Sequence, residues 1–154
     1  MASTFSIPLV REAVLEPIFC AAQELSDAVD KHASNSGLPG DVLEHPDRIL
    51  PLVPALKFIA RMARESGDPT FGIRMAQPVH FNNIKTVIPY LVSCSSLYGV
   101  LQNFCRCSRE QCNIADYALV EDDHRVWFLD KGLFTEEAFE HRDMFEVTGM
   151  IQLV

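Results

Sequence analysis

The chain has 154 residues, 48% of them apolar, and a formal net charge of −8; its mean hydropathy is +0.07 and its pI about 5.0. That length predicts one domain with a core that needs neither disulfide nor metal. An acidic polypeptide repels the phosphate backbone, which argues against direct binding of DNA or RNA by this chain. The longest apolar run, ILPLVPALKFIA, is too short and too broken by Pro51 and Pro54 to span a membrane.

In chain order, Ser6, with Pro8 close behind, opens a first helix. Val14, Leu15, Ile18, Phe19, Ala22, Leu25, Ala28 and Val29 recur at three- and four-residue spacing along it. Pro17 either kinks this helix or marks its true start. Residues 34–40, SNSGLPG, form a turn cluster, and DVLEH is one helical turn ended by Pro46. The next helix begins near Pro51 and buries Val53, Leu56, Ile59, Ala60 and Ala63. Gly67 fits a left-handed C-terminal position, Asp68-Pro69 forbids continuation, and Thr70 restarts a short helix through Met75. Phe71 and Ile73 read as core anchors, and the lone glycine of FGIR lacks the spacing of a phosphate loop.

IKTVIPYLVSC is helical but must bend or begin late at Pro89. Ser95 or Ser96 then caps LYGVLQNFCRCSREQC, whose apolar stripe is Leu97, Val100, Leu101, Phe104 and Cys105. ADYALVEDDHRVWFLD changes period, and Tyr117, Leu119, Val126 and Phe128 mark two strands around the polar tip EDDH. Thr135 caps a last helix with Glu136 and Glu137 in its first turn. The sequence stops at Val154 in apolar residues with no polar tail, which reads as a domain cut short.

The residues that carry chemistry are weakly organised. Cys105 and Cys107 are one residue apart, which on a helix turns their thiols roughly 200° from each other. That spacing disfavours zinc and favours buried thiols that act as small apolar groups. The odd cysteine count and the absence of a signal-peptide plan point to a reducing, cytoplasmic setting. None of His32, His45, His80, His124 and His141 sits in the signature of an activated nucleophile. No axial histidine for heme stands out between His80 and His32. The acids at 121–123 suit a turn and those at 136 and 137 a helix start. No catalytic residue, metal or cofactor is therefore assigned. Trp127 reads as a core residue on its strand, with a ligand cleft as the alternative.

The segment GLPGDVLEHPDRILPLVPALKFIARMARESGDPTFGIRMAQ resembles the N-terminal, arabinose-binding-like effector domain of AraC-type transcriptional regulators. Gly37-Leu38 matches the family's first turn. Leu43, Pro46, Asp47, Arg48 and Ile49 match its second element. Gly67, Asp68, Pro69, Phe71, Gly72, Ile73 and Arg74 match its most specific one. Ser93, Ser96, Leu97 and Leu101 match the helix start that follows, and YALVEDDHRVWFLD the strand pair. The likeness covers about residues 10 to 135. It departs at Lys85 and Ile88, where the family has glycines, and at Pro89. The strand-rich end and the paired helix-turn-helix motifs of the family have no counterpart here.

The resemblance implies a ligand-sensing domain of a bacterial regulator, not an enzyme. It implies a small-molecule effector, DNA reached only through the missing C-terminal module, and a homodimer. The expected class is α+β: a mostly helical N-terminal half, a small antiparallel hairpin and a C-terminal helix, making one regulatory domain over residues 1–154. Side-chain type nominates Phe71, Arg74, Tyr90, Tyr98 and Trp127 for the effector pocket. Arg74 requires a partner, either a helix C-terminus or an acid such as Asp47, with an effector carboxylate as the alternative. Two other readings stay open, a heme or metal sensor or small Cys/His enzyme, and a dimerisation module without ligand.

Overall fold

The computed structural model describes residues 7–77, 89, 91, 93–131 and 138–152. It is α+β, with two antiparallel strand pairs set among helices. Strand β1 (Leu9–Arg11) pairs with β2 (Ile49–Pro51), with Val10 opposite Leu50. A 3-10 turn, Glu12–Leu15, leads into α1 (Glu16–Gln23), which carries Pro17 in its first turn. There the missing N–H has no helical partner to lose. Helix α2 (Val29–Ser36) ends at Gly37, in the left-handed conformation with φ +89°.

The single first helix expected through Val29 is thus a strand, a 3-10 turn and two helices. Pro17 marks a start, and Ser26, whose Oγ accepts the Ala28 N–H at 3.1 Å, makes the break. Such side-chain-to-backbone bonds compete with helix. The helical turn expected at DVLEH is absent as well. Val42 N–H donates to the Pro39 carbonyl and Glu44 N–H to Asp41, while Leu43 takes φ +80°. Turn bonds and the Arg48 contacts described below hold this loop.

Helix α3 (Leu52–Ser66) ends at Gly67, φ +62°, as its sequence predicts. Its buried face is Leu52, Ala55, Leu56, Phe58, Ile59, Met62 and Ala63, and Val53 is 45% exposed. The core stripe starts one residue earlier than expected and turns Val53 outward. Helix α4 (Phe71–Met75) buries both end residues completely, while Ile73 is 43% exposed. Positions four apart share a helix face and the one between them does not, so Ile73 is no core anchor.

Helix α5 (Leu97–Gln111) is capped by Ser96, whose Oγ accepts the Gly99 N–H at 3.2 Å. It buries Val100 and Cys107, and leaves Leu97 exposed. Strands β3 (Tyr117–Glu121) and β4 (Val126–Asp130) pair with Tyr117 opposite Asp130 and Val120 opposite Trp127. Helix α6 (Ala138–Gln152) is the last described element. The helix expected over IKTVIPYLVSC lies mostly outside the described residues, although Pro89 and Leu91 are helical and Leu91 is buried. The expected Thr135 cap, with Glu136 and Glu137, lies outside them too.

The main core joins β1, β2, α1, α2, α3 and α4, with Phe19 stacked on Phe58 at 4.6 Å between ring centres. A smaller core gathers Leu91 and Val100 with Phe104, and Phe145 of α6 packs against both. Helix α6 lies on α3 and α4. A Cβ on Gly72 would come within 2.2 Å of the His141 carbonyl oxygen, so glycine is required where these two backbones meet. Strand β1 also reaches the end of α5. Val10 bridges to Cys112, Leu9 N–H donates to Asn113 Oδ1 at 2.8 Å, and Asn113 Nδ2 donates to the Ile7 carbonyl at 2.9 Å.

Candidate functional site

The 3-10 turn, the end of α5, the start of β3 and α6 leave space between them. Two lobes of about 100 and 90 Å³ open there, both walled by Val14, Cys112, Ala115, Tyr117, Phe145 and Glu146. Phe104 and Met150 close the first lobe. Ile18, Leu56, Ile59 and Met75 of the main core close the second, together with Arg142. A mostly apolar concavity with a few convergent polar groups is the usual form of a small-molecule site.

The charged groups sit on one side, on α6, while Ser108 and Gln111 of α5 add polar groups to the first lobe. Arg142 and Glu146 are one turn apart on α6, so their side chains meet. Arg142 Nε donates to Glu146 Oε1 at 2.6 Å and its terminal nitrogen to Oε2 at 3.1 Å. The same nitrogen reaches Asp130 Oδ2 at 3.0 Å and the Tyr117 hydroxyl at 3.3 Å. Desolvation raises the pKa of Glu146 and outweighs the pull of Arg142. Desolvation, then the charge of Glu146 and a hydrogen bond to it, push the Tyr117 hydroxyl well above its ordinary value. Burial works to lower Arg142, but bonding to Glu146 wins and raises it. Asp130, Asp143 and Glu146 bring carboxylate oxygens within 4.8 Å of one another, and Arg142 already supplies a positive charge to two of them. The five cysteines are free thiols, and desolvation pushes Cys112 upward.

Of the five nominated pocket residues, the four that are described, Phe71, Arg74, Tyr98 and Trp127, do not line this cavity. Phe71 is fully buried in the main core, edge-on to His141. Arg74 pairs with Asp68, not with Asp47, through Nε at 3.1 Å and a terminal nitrogen at 2.8 Å. Asp47 instead pairs with Arg11. Asp68 also accepts from the Thr70 N–H at 2.8 Å and the Thr70 hydroxyl at 2.6 Å. The Thr70 hydroxyl and Arg74 hold its carboxyl down to about 2. The break at SGDPT is therefore a clamp that ties the start of α4 to its end. Tyr98 donates to Glu121 and fastens α5 to the hairpin. Trp127, expected in the core, is 46% exposed. Its indole N–H donates to Asp122 Oδ2 at 3.0 Å and Arg125 lies over its ring. Strand alternation puts it on the outer face of the hairpin, because Phe128 takes the inner face against Phe104 and Tyr117. Tyr90 lies outside the described residues.

The second matched motif element is also a clamp. Arg48 Nε donates to the wholly buried Glu12 at 2.5 Å. Its terminal nitrogens grip the Asp41 carboxylate at 2.8 and 2.9 Å and the Asp41 carbonyl at 3.0 Å.

The cavity residues that sequence reasoning missed are Val14 and Tyr117, read only as helix and strand positions, and Arg142, Phe145 and Glu146, which were not singled out. The four-residue spacing of Arg142 and Glu146 was the one legible signal.

Among curated proteins, none matches the chain. The profile of the family described as the arabinose-binding domain of AraC transcription regulators, N-terminal, matches residues 28–150. That span takes in Arg48 and Asp41 of the first clamp, the Asp68 clamp, α5, the hairpin and the cavity-lining face of α6. On this match the chain belongs to the family of N-terminal arabinose-binding domains of AraC transcription regulators, which are ligand-sensing regulatory domains.

Proposed function

We propose that this domain is the effector-sensing part of a longer bacterial, cytoplasmic regulator, and that it touches DNA only through a separate helix-turn-helix module. The cavity beneath α6 is the observation that carries this reading. It is walled by elements from both halves of the fold, so a ligand that fills it contacts α6 and the N-terminal core at once. Such a ligand biases the regulator between states only in so far as it binds one of them better. The acidic charge supports assigning duplex binding elsewhere. The chemistry is binding, with no bond made or broken.

A homodimer belongs to the same proposal, because paired half-sites call for paired readers. The outer face of the hairpin, with Val120, Trp127 and Leu129 all more than a third exposed, supports it. In sedimentation, Trp127→Glu is expected to shift any dimer of this chain toward monomer. The decisive experiment is to read the native gene past the Val154 codon and to titrate the 154-residue chain with duplex DNA. The expected frame adds about 150–200 residues ending in a basic helical module, and the chain alone leaves duplex unshifted. A stop codon there, or tight duplex binding by this chain alone, overturns the proposal.

A further inference from the structure

We infer that the cavity beneath α6 takes a small, uncharged, largely apolar alcohol or phenol, and not a sugar or a carboxylate; this rests on the sensing role proposed above. The wall is Val14, Cys112, Ala115, Tyr117, Phe145 and Glu146 in both lobes. A sugar carries a hydroxyl on nearly every carbon, and each one buried without a partner costs free energy. The wall common to both lobes offers one carboxylate and one phenol, and both already bond to Arg142. Ser108 and Gln111 edge the first lobe, but the Ser108 hydroxyl is already given to the Phe104 carbonyl at 2.6 Å, so the partners fall short of what a polyol needs.

Charge narrows the class further. The guanidinium of Arg142 is held by Glu146 from two directions and by Asp130 from a third. A ligand carboxylate would have to displace one of these acids, or sit beside both in a partly desolvated space. Asp130, Asp143 and Glu146 would attract a ligand cation, but Arg142 already occupies Glu146 and Asp130. A neutral ligand avoids the carboxylate's penalty. Glu146 borders both lobes, and each carboxylate oxygen accepts more than one hydrogen bond. One ligand O–H can therefore donate to it while the rest of the molecule lies on Val14, Ala115 and Phe145. A dry cavity of about 150 Å³ holds a benzene ring. Lobes of about 100 and 90 Å³ with shared walls suit one ring or a chain of about six to eight carbons.

The test uses the 154-residue chain with methyl-resolved NMR and thermal unfolding. The probes are p-cresol, cyclohexanol, toluene, hexanoate and L-arabinose. p-Cresol and cyclohexanol should shift the methyls of Val14, Ala115 and Met150 and raise the Tm. p-Cresol should bind about tenfold more tightly than toluene, the value of one hydrogen bond to a charged acceptor. Val14→Phe, which fills both lobes, should abolish these shifts. If that variant fails to fold, protection of Cys112 from N-ethylmaleimide by p-cresol in the wild type is the substitute readout. Tighter binding of hexanoate or L-arabinose at these methyls overturns the ligand class and leaves the sensing role standing. If toluene equals or exceeds p-cresol, the hydroxyl requirement falls. If no probe moves these methyls or protects Cys112, both the ligand class and the sensing role assigned to this cavity fall.

Discussion

Two arginine–carboxylate clamps, one drawn from each end of the chain, differ in what surrounds them. At the N-terminal end, Glu12 is completely buried and bonds to Arg48 Nε and to the His45 N–H. Arg48 is in turn saturated by Asp41. At the other end, Arg142 and Glu146 make an equally close pair, but Glu146 borders an open cavity. In the first clamp the Glu12 carboxylate is enclosed by protein, while Arg48 and Asp41 reach the surface, and the clamp fixes the course of a loop. The second has unfilled space on one side. The same two side-chain types thus serve architecture in one place and present a polar edge in the other, and the enclosure of the carboxylate makes the difference.

Arg48→Met should sharpen this contrast most. It leaves the wholly buried Glu12 carboxylate without its charged partner, the largest loss expected of this set, read from urea unfolding. Arg142→Met should cost less, about 1–3 kcal/mol, because Glu146, with its raised pKa, can take up a proton beside the cavity. Equal losses at the two sites would erase the distinction. Gly72→Ala comes next. The added methyl has no room against the His141 carbonyl, and overpacking of this kind costs about 1–3 kcal/mol. It should also weaken binding of any cavity ligand by displacing α6.

The Asp68 clamp gives a smaller, pH-dependent effect. Its folded pKa of about 2 lies below the ordinary 3.8. Its contribution is therefore complete above pH 4 and lost as pH falls through about 2. Asp68→Asn should flatten that acid limb and cost about 1 kcal/mol near neutrality, measured as unfolding midpoint against pH. Glu146 carries the opposite sign, because its raised pKa removes stability as pH climbs past the usual carboxylate range. Arg11→Ala should do least, below about 1 kcal/mol, since its partner Asp47 is almost wholly exposed.

Much of the architecture was legible in local chemistry. Gly67 and Asp68-Pro69 announced the end of α3, the Ser95-Ser96 pair the start of α5, and the change of period at Tyr117 the hairpin. The first 30 residues misled because Val14 to Val29 repeat at helical spacing across a break that Ser26 makes by a single hydrogen bond. Trp127 misled because both faces of the hairpin are apolar, so alternation alone did not say which face turns inward. The cavity was not legible for a different reason. Its walls come from residues 14, 112, 117 and 146, far apart in sequence, and only tertiary packing brings them together. The nominated aromatic residues were chosen by type, and type does not encode enclosure.

The absent side chain at residue 72 has a mechanical consequence. It seats the early part of α6 on α4 at His141, which makes that point a fulcrum. The cavity-facing residues 145, 146 and 150 lie progressively farther along the same rigid rod. Residue 152 lies roughly 16 Å beyond the fulcrum at 1.5 Å per residue. A small tilt at the seat is therefore magnified toward residue 152, and a guest wedged near Met150 has more leverage than one lodged near Met75.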